Sequence, residues 1–136
     1  MDEPKAALVR GWIARARSDL ATARKLAAGP DPYLDTAVFH CQQAAEKVLK
    51  GFLVLHDIRF EKTHDLQVLL GLANRVSGGL ADLADAADRL TPYAVAYRYP
   101  GDMLAPTADE FAAALAAADE IFARVGPLLP SELREW

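Results

Sequence analysis

FHCQQAAEKVLKGFL, residues 39–53, is the stretch that decides the fold class. Around it Val38, Cys41, Ala45, Val48, Phe52 and Leu55 recur every three or four residues, the spacing of one face of an α-helix. Gln42, Gln43, Glu46, Lys47 and Lys50 crowd the remaining faces. The periodicity predicts a helix from about Pro32, a good first-turn residue, to about His56.

The same reading extends in both directions. Upstream, Leu8, Trp12, Ala16, Leu20 and Ala23 mark a helix from about Pro4 to Ala28, stopped by Gly29 and Pro30. Downstream, residues 57–62 form a polar connection. Thr63 is then expected to cap a short third helix with Leu66, Leu69, Leu70 and Ala73 inward. Ser77, Gly78 and Gly79 break the chain. A fourth helical stretch runs from about Leu80 to Tyr99, with Pro92 either kinking it or opening a new turn. Residues 100–106 read as a loop. Thr107-Ala108-Asp109-Glu110 is a capping box, opening a fifth helix that reaches about Val125 before Gly126 and Pro127 end it. Its apolar face is Phe111, Leu115, Ala118, Phe122 and Val125. The tail LLPSELREW is apolar enough to pack back on the bundle or on a second subunit. No strand pattern interrupts this series. The expected architecture is all-α, an antiparallel four- to five-helix up-and-down bundle forming a single domain over residues 1–136.

Composition narrows the function classes. With 52% hydrophobic and 25% charged residues the chain is globular rather than disordered. Ala-richness with few Val and Ile favours helix over strand. A single cysteine, Cys41, excludes an internal disulfide and suits a reducing compartment. The start MDEPKAALVRGW lacks a basic region followed by an apolar core, and no apolar run approaches a membrane span. A cytoplasmic location and no membrane association are therefore expected. Charge is uneven: residues 1–62 carry ten Lys or Arg against eight Asp or Glu, residues 63–136 five against eleven. A chain of net charge −4 does not bind nucleic acid through bulk charge, so any such site is local or shared between subunits. His40, His56 and His64 lack metal-ligand spacing, and Cys41 has no cysteine partner, so neither a metal nor another cofactor is expected.

Four pieces in order carry a family resemblance: the QQAAEK helix, Thr63-His64-Asp65-Leu66, the segment TPYAVAYRYPGD at 91–102, and the TADE-capped Ala-rich helix. Over roughly residues 8–126 the chain resembles the HEPN family of nucleotide- and RNA-associated helical bundles. That resemblance implies a bundle that dimerises along its longer helices, with a polar cleft near the interface. It also implies the roles known in the family: metal-independent ribonuclease, nucleotide binder, or partner of a minimal nucleotidyltransferase in a toxin–antitoxin pair. In some of those pairs the partner attaches AMP to a tyrosine near the ribonuclease motif. Active members carry an Arg followed four to six residues later by His. The arginine stabilises charge on the attacked phosphate, and the histidine moves protons near neutral pH.

Arg98 stands where the family places its arginine, but residues 99–105 contain no histidine. Asp102 is the one proton acceptor in that window and a poor replacement for an imidazole at neutral pH. The incomplete motif argues against strong ribonuclease activity. Arg59 and His64 match the spacing in the wrong place. They are read as a solvated arginine and a helix-start histidine that tethers its turn. Arg98 itself can be read as an arginine satisfying a helix end, or as a phosphate contact in the company of Tyr93, Tyr97 and Tyr99. Glu46 and Lys50 read as an ordinary surface ion pair, or as groups facing the same cleft as Arg98. Arg10, Arg17 and Arg24 form a basic stripe on the first helix. The expected ligand-binding residues are Arg98, Tyr97, Tyr99, Glu46 and Lys50, with Arg98 and Asp102 as weak catalytic candidates. The leading expectation is a binding or regulatory module, homodimeric through an apolar face such as that of the second helix, acting with a minimal nucleotidyltransferase. An RNA-cleaving toxin using Arg98, and a structural adaptor dimer, are the alternatives.

Overall fold

A computed structural model describes residues 1–101 and 104–134. Five α-helices account for more than three-fifths of the chain: α1 (Glu3–Ala27), α2 (Leu34–Leu55), α3 (Leu66–Ser77), α4 (Ala84–Leu90) and α5 (Ala108–Val125). Short 3-10 turns flank α4 and follow α5, and no strand occurs among the described residues. No described helix is long and apolar enough to cross a membrane.

The start of each helix follows local chemistry. Asp2 accepts from the Lys5 amide and caps α1, with Pro4 in the first turn. The expected capping box is present at α5, where Thr107 Oγ1 accepts from the Glu110 amide and Glu110 accepts from that of Thr107. Three boundaries differ from the sequence reading. The Tyr33 amide donates to Leu26 O at the end of α1, which holds residues 32–33 outside α2. Asp65, not Thr63, caps α3. Thr63 Oγ1 instead accepts from the Asp65 amide, building a turn that presents Asp65 to Gln67. The fourth helical stretch, expected to reach Tyr99, ends as α4 at Leu90: Pro92 lacks an amide to continue it and opens a 3-10 turn (Thr91–Ala94).

The central element is α2, which packs most extensively on antiparallel α1, then on α5 and α3. The two helices are in close contact at Gly51, where an added Cβ would stand 3.0 Å from Ile13 Cδ1 and 3.1 Å from Trp12 Cβ. The buried stripe of α1 is Ala6, Val9, Ile13, Ala16, Leu20 and Ala23. Leu8, expected inward, is 53% exposed, because α2 covers a sector rotated toward Val9 and Ile13. On α5 the buried residues are Ala114, Ala117, Ala118, Ile121 and Val125, while Phe111, Leu115 and Phe122 pack at the margin. Small alanines face the core, which lets helices approach closely. The tail folds back on the bundle, burying Leu129 and Leu133.

The apolar face of α2 is thereby filled within one chain. One open apolar surface lies on α1, a shallow groove of about 300 Å³ lined by Ala7, Leu8, Gly11, Trp12 and Arg15.

Candidate functional site

After α4 and its 3-10 extension, the chain reverses at Tyr97, which has φ +66°. This left-handed conformation costs a residue bearing a Cβ roughly 1–2 kcal/mol. Stacking of Tyr97 on Tyr93, with ring centroids 6.3 Å apart and planes at 24°, holds it. Burial, then the charge of Glu110, raises the Tyr93 hydroxyl above its ordinary value, so that ring stays neutral.

The reversal aims Arg98 back at α2. Its guanidinium carbon lies 3.9 Å from the centroid of Phe39, and Nη1 makes a long 3.5 Å bond to Ala94 O. The arginine thus satisfies a helix-end carbonyl and stacks on an aromatic face at once. Among the described residues no carboxylate forms an ion pair with it. Asp35, Thr36, Phe39, His40, Tyr97 and Arg98 line a cleft of about 290 Å³. Tyr99 is 66% exposed and outside that lining, and Asp102 lies outside the described residues.

His40 was not singled out from the sequence as a site residue. Its Nδ1 stands 2.7 Å from Oδ1 of Asp19, a buried carboxylate on α1. Lys47 Nζ donates to the other oxygen, Oδ2, also at 2.7 Å. The carboxylate accepts only, so Nδ1 carries the proton of that bond and Nε2 is the nitrogen left for a ligand. The sequence signal was available: His40 and Lys47 are seven residues apart, on one edge of α2. What it lacked was Asp19, which only the packing of α1 on α2 supplies.

Glu46 and Lys50 belong to a different cluster. They lie six and ten residues beyond His40, about 9 and 15 Å along the helix axis, and do not line the Arg98 cleft. The pair is also not at the surface. Its side chains are 5% and 8% exposed, with Nζ 3.1 Å from Oε2. The other Glu46 oxygen accepts from Gln42 Nε2 at 3.1 Å and sits 2.7 Å from His64 Nδ1. The Lys50 ammonium rests between the rings of Trp12 and Phe60, 5.8 and 5.7 Å from their centroids. The segment after α2 folds over these groups, and that covering is what the helix pattern alone concealed. His64 tethers the turn before α3 through this network, while Arg59 is exposed.

The basic stripe of α1 is partly spent internally. Arg10 pairs with Glu3, and Arg24 grips both oxygens of Asp119 on α5. No group of three His, Cys, Asp or Glu side chains converges to hold a metal among the described residues.

Comparison with known proteins gives a consistent picture. The profile described as the HEPN domain matches residues 9–128. The crystal structure of TT1696 from Thermus thermophilus is similar with a TM-score of 0.77 and 31% identity, covering 89% of this chain and 98% of that one. An archaeal HEPN homologue, ST0689, is similar with a TM-score of 0.67 and 28% identity, covering 88% and 96%. No curated protein matches the chain.

Proposed function

The chain belongs to the HEPN domain family, and from that premise we propose that it is a binding module for a nucleotide or RNA phosphate, held by Arg98. One observation carries the proposal. Arg98 lies over Phe39 at the mouth of a cleft, beside Tyr97, with no described carboxylate paired to it. A guanidinium in this setting offers a fork of donors to phosphate oxygens, while neighbouring aromatic faces accept a stacked base. Tyr97 and Arg98 remain in the proposed site; Tyr99 is outside the cleft lining. Glu46 and Lys50 form a separate buried cluster and are not part of the proposed site.

The module works in the cytoplasm as a homodimer, with a minimal nucleotidyltransferase as partner in a toxin–antitoxin-like pair. The α1 groove around Leu8, Gly11 and Trp12 supports the dimer reading, since Gly11 leaves room for a second helix to approach. Growth and RNA integrity, scored on expression with and without the gene encoding that partner, test the pairing.

The binding site is tested by titrating a labelled nucleotide and a short RNA against the protein, Arg98→Ala and His64→Ala. Arg98→Ala is expected to weaken binding by roughly 1.5–3 kcal/mol, the scale of a charge-assisted contact. His64→Ala, outside the cleft, leaves it nearly unchanged. Equal binding by the protein and Arg98→Ala would refute the assignment, and no binding of any probe would leave an adaptor dimer.

A further inference from the structure

We propose that His64 is a phosphoryl-acceptor site, its Nε2 presented at the surface by the buried carboxylate of Glu46. The donor is an activated phosphoryl compound of the acyl-phosphate or phosphoramidate type, and the ring holds the group for onward transfer. The site is independent of Arg98, since His64 lines neither that cleft nor the α1 groove.

Three observations point to a nucleophile as well as a tether. First, the ring is fixed on one side and free on the other. Nδ1 stands 2.7 Å from Glu46 Oε1, and the His64 side chain is 58% exposed against 5% for Glu46. The carboxylate accepts only, so Nδ1 carries the proton and the available lone pair is on Nε2. Second, the carboxylate is itself immobilised. Gln42 donates to Oε1 and Lys50 to Oε2, each at 3.1 Å, and the Lys50 ammonium rests between Trp12 and Phe60. The backbone of the turn is tied separately, with Gln42 Nε2 donating to His64 O at 3.3 Å, so the turn has a hold that does not use the imidazole. Third, the connection between α2 and α3 offers two exposed cations, Arg59 and Lys62, with no partner among the described residues. Of its acids, Asp57 pairs with Lys5 and Asp65 caps α3, which leaves Glu61. A phosphoryl group on Nε2 brings negative charge that the two cations offset; an acyl group would make no use of them. An imidazole this open encloses no substrate. It suits a carrier, whose donor and acceptor close around the ring, rather than an enzyme that must exclude water itself.

The step balances. Nε2 of His64 attacks phosphorus and an N–P bond forms. The bond from phosphorus to the carboxylate oxygen of an acyl phosphate breaks, and its electron pair leaves with that carboxylate. From phosphoramidate the leaving group is ammonia. The ring keeps its Nδ1 proton and becomes an imidazolium facing the Glu46 carboxylate, which stabilises it. Attack of an acceptor on the phosphorus then breaks the N–P bond and restores the neutral ring. Nothing is oxidised or reduced. Glu46 touches no donor in this scheme and is a positioning residue.

The test exposes the full chain to acetyl phosphate and, separately, to phosphoramidate, and follows it by phosphorus NMR and by mass spectrometry of its peptides. His56 is the internal control: it is exposed, and its ring meets Phe52 rather than a carboxylate. His64 is expected to react at least about tenfold faster than His56, the factor that one charge-assisted hydrogen bond corresponds to, with phosphorus on Nε2 alone. Reaction with either donor supports the site, and the faster donor identifies its leaving group. His64→Gln should lose this signal and keep that of His56. In Glu46→Gln the rate should fall toward that of His56, and phosphorus should appear on both ring nitrogens. Where Glu46→Gln fails to fold, the surface double variant Arg59→Gln, Lys62→Gln serves, reacting more slowly than the parent by a margin that closes as salt is raised. A His64 no faster than His56, or one that carries phosphorus on Nδ1, would overturn the proposal. So would a folded Glu46→Gln that reacts at the parent's rate on Nε2 alone, or a double variant indistinguishable from the parent at low salt.

Discussion

Cys41 shows what burial does to a single residue. It sits on the core face of α2, and burial, reinforced by the charge of Asp119, pushes its thiol up to about 12 from 9.0. Below the lower value the thiol is neutral in both folded and unfolded chains, and its contribution to stability is fully present. Above it the unfolded chain loses a proton that the folded chain keeps, so stability falls as pH rises toward the higher value. Urea melts at about pH 8 and about pH 10.5 should show this slope in the protein and a shallower one in Cys41→Ala. Alkylation should be slow until denaturant is added; rapid labelling of the native protein would contradict the burial. The Glu46–Lys50 pair makes a sharper prediction. Lys50→Met keeps the stem between Trp12 and Phe60 but leaves the buried carboxylate without its cation. A loss of about 3–5 kcal/mol is expected, the cost of removing one partner of a buried pair, and a change within error would show that His64 and Gln42 suffice. Arg98 could be picked out from the chain alone because its neighbours are Tyr97, Tyr99 and a proline turn. His40 could not, because its meaning depends on Asp19, twenty-one residues earlier, and Arg98, fifty-eight later.

Among the elements, α5 offers the cleanest measurement. Its capping box satisfies free amides at a helix start, so Thr107→Ala should cost about 1 kcal/mol, or roughly 3–5 °C in melting temperature for a chain of this length. An unchanged melt would mean that water replaces the hydroxyl there. The box was readable from four residues because both of its bonds lie within one turn. The helices themselves were readable for a similar reason: a run of eighteen or more residues repeats its period often enough to be unmistakable. Register was harder. Leu8 and Phe111 satisfy the spacing of an inward face, but the buried sector is rotated toward Val9 and Ile13 on α1 and toward Ala114 and Ala118 on α5. The start of α3 was misplaced by two residues because Thr63 and Asp65 both accept from amides, and only the second stands at the first helical turn.

For the molecule as a whole, the open apolar groove on α1 argues for self-association. Light scattering at micromolar concentration is expected to give twice 14.7 kDa, and Leu8→Glu to give a monomer with an unchanged helical spectrum. A monomeric parent would remove that role from the groove. The chain folds around α2, and α1 supplies both the open groove and Asp19 behind the cleft. Gly51, where an added Cβ would run into Ile13 and Trp12 of α1, therefore has an evolutionary consequence out of proportion to its size. In a saturation scan scored on folding, it should tolerate fewer replacements than any residue of the cleft. In one scored on ligand binding, replacements that still fold should bind less tightly, because α1 levered away from α2 carries Asp19 away from His40 and Lys47. The position furthest from the ligand in chemical terms would then act as a silent filter on which variants natural selection ever tests at the cleft.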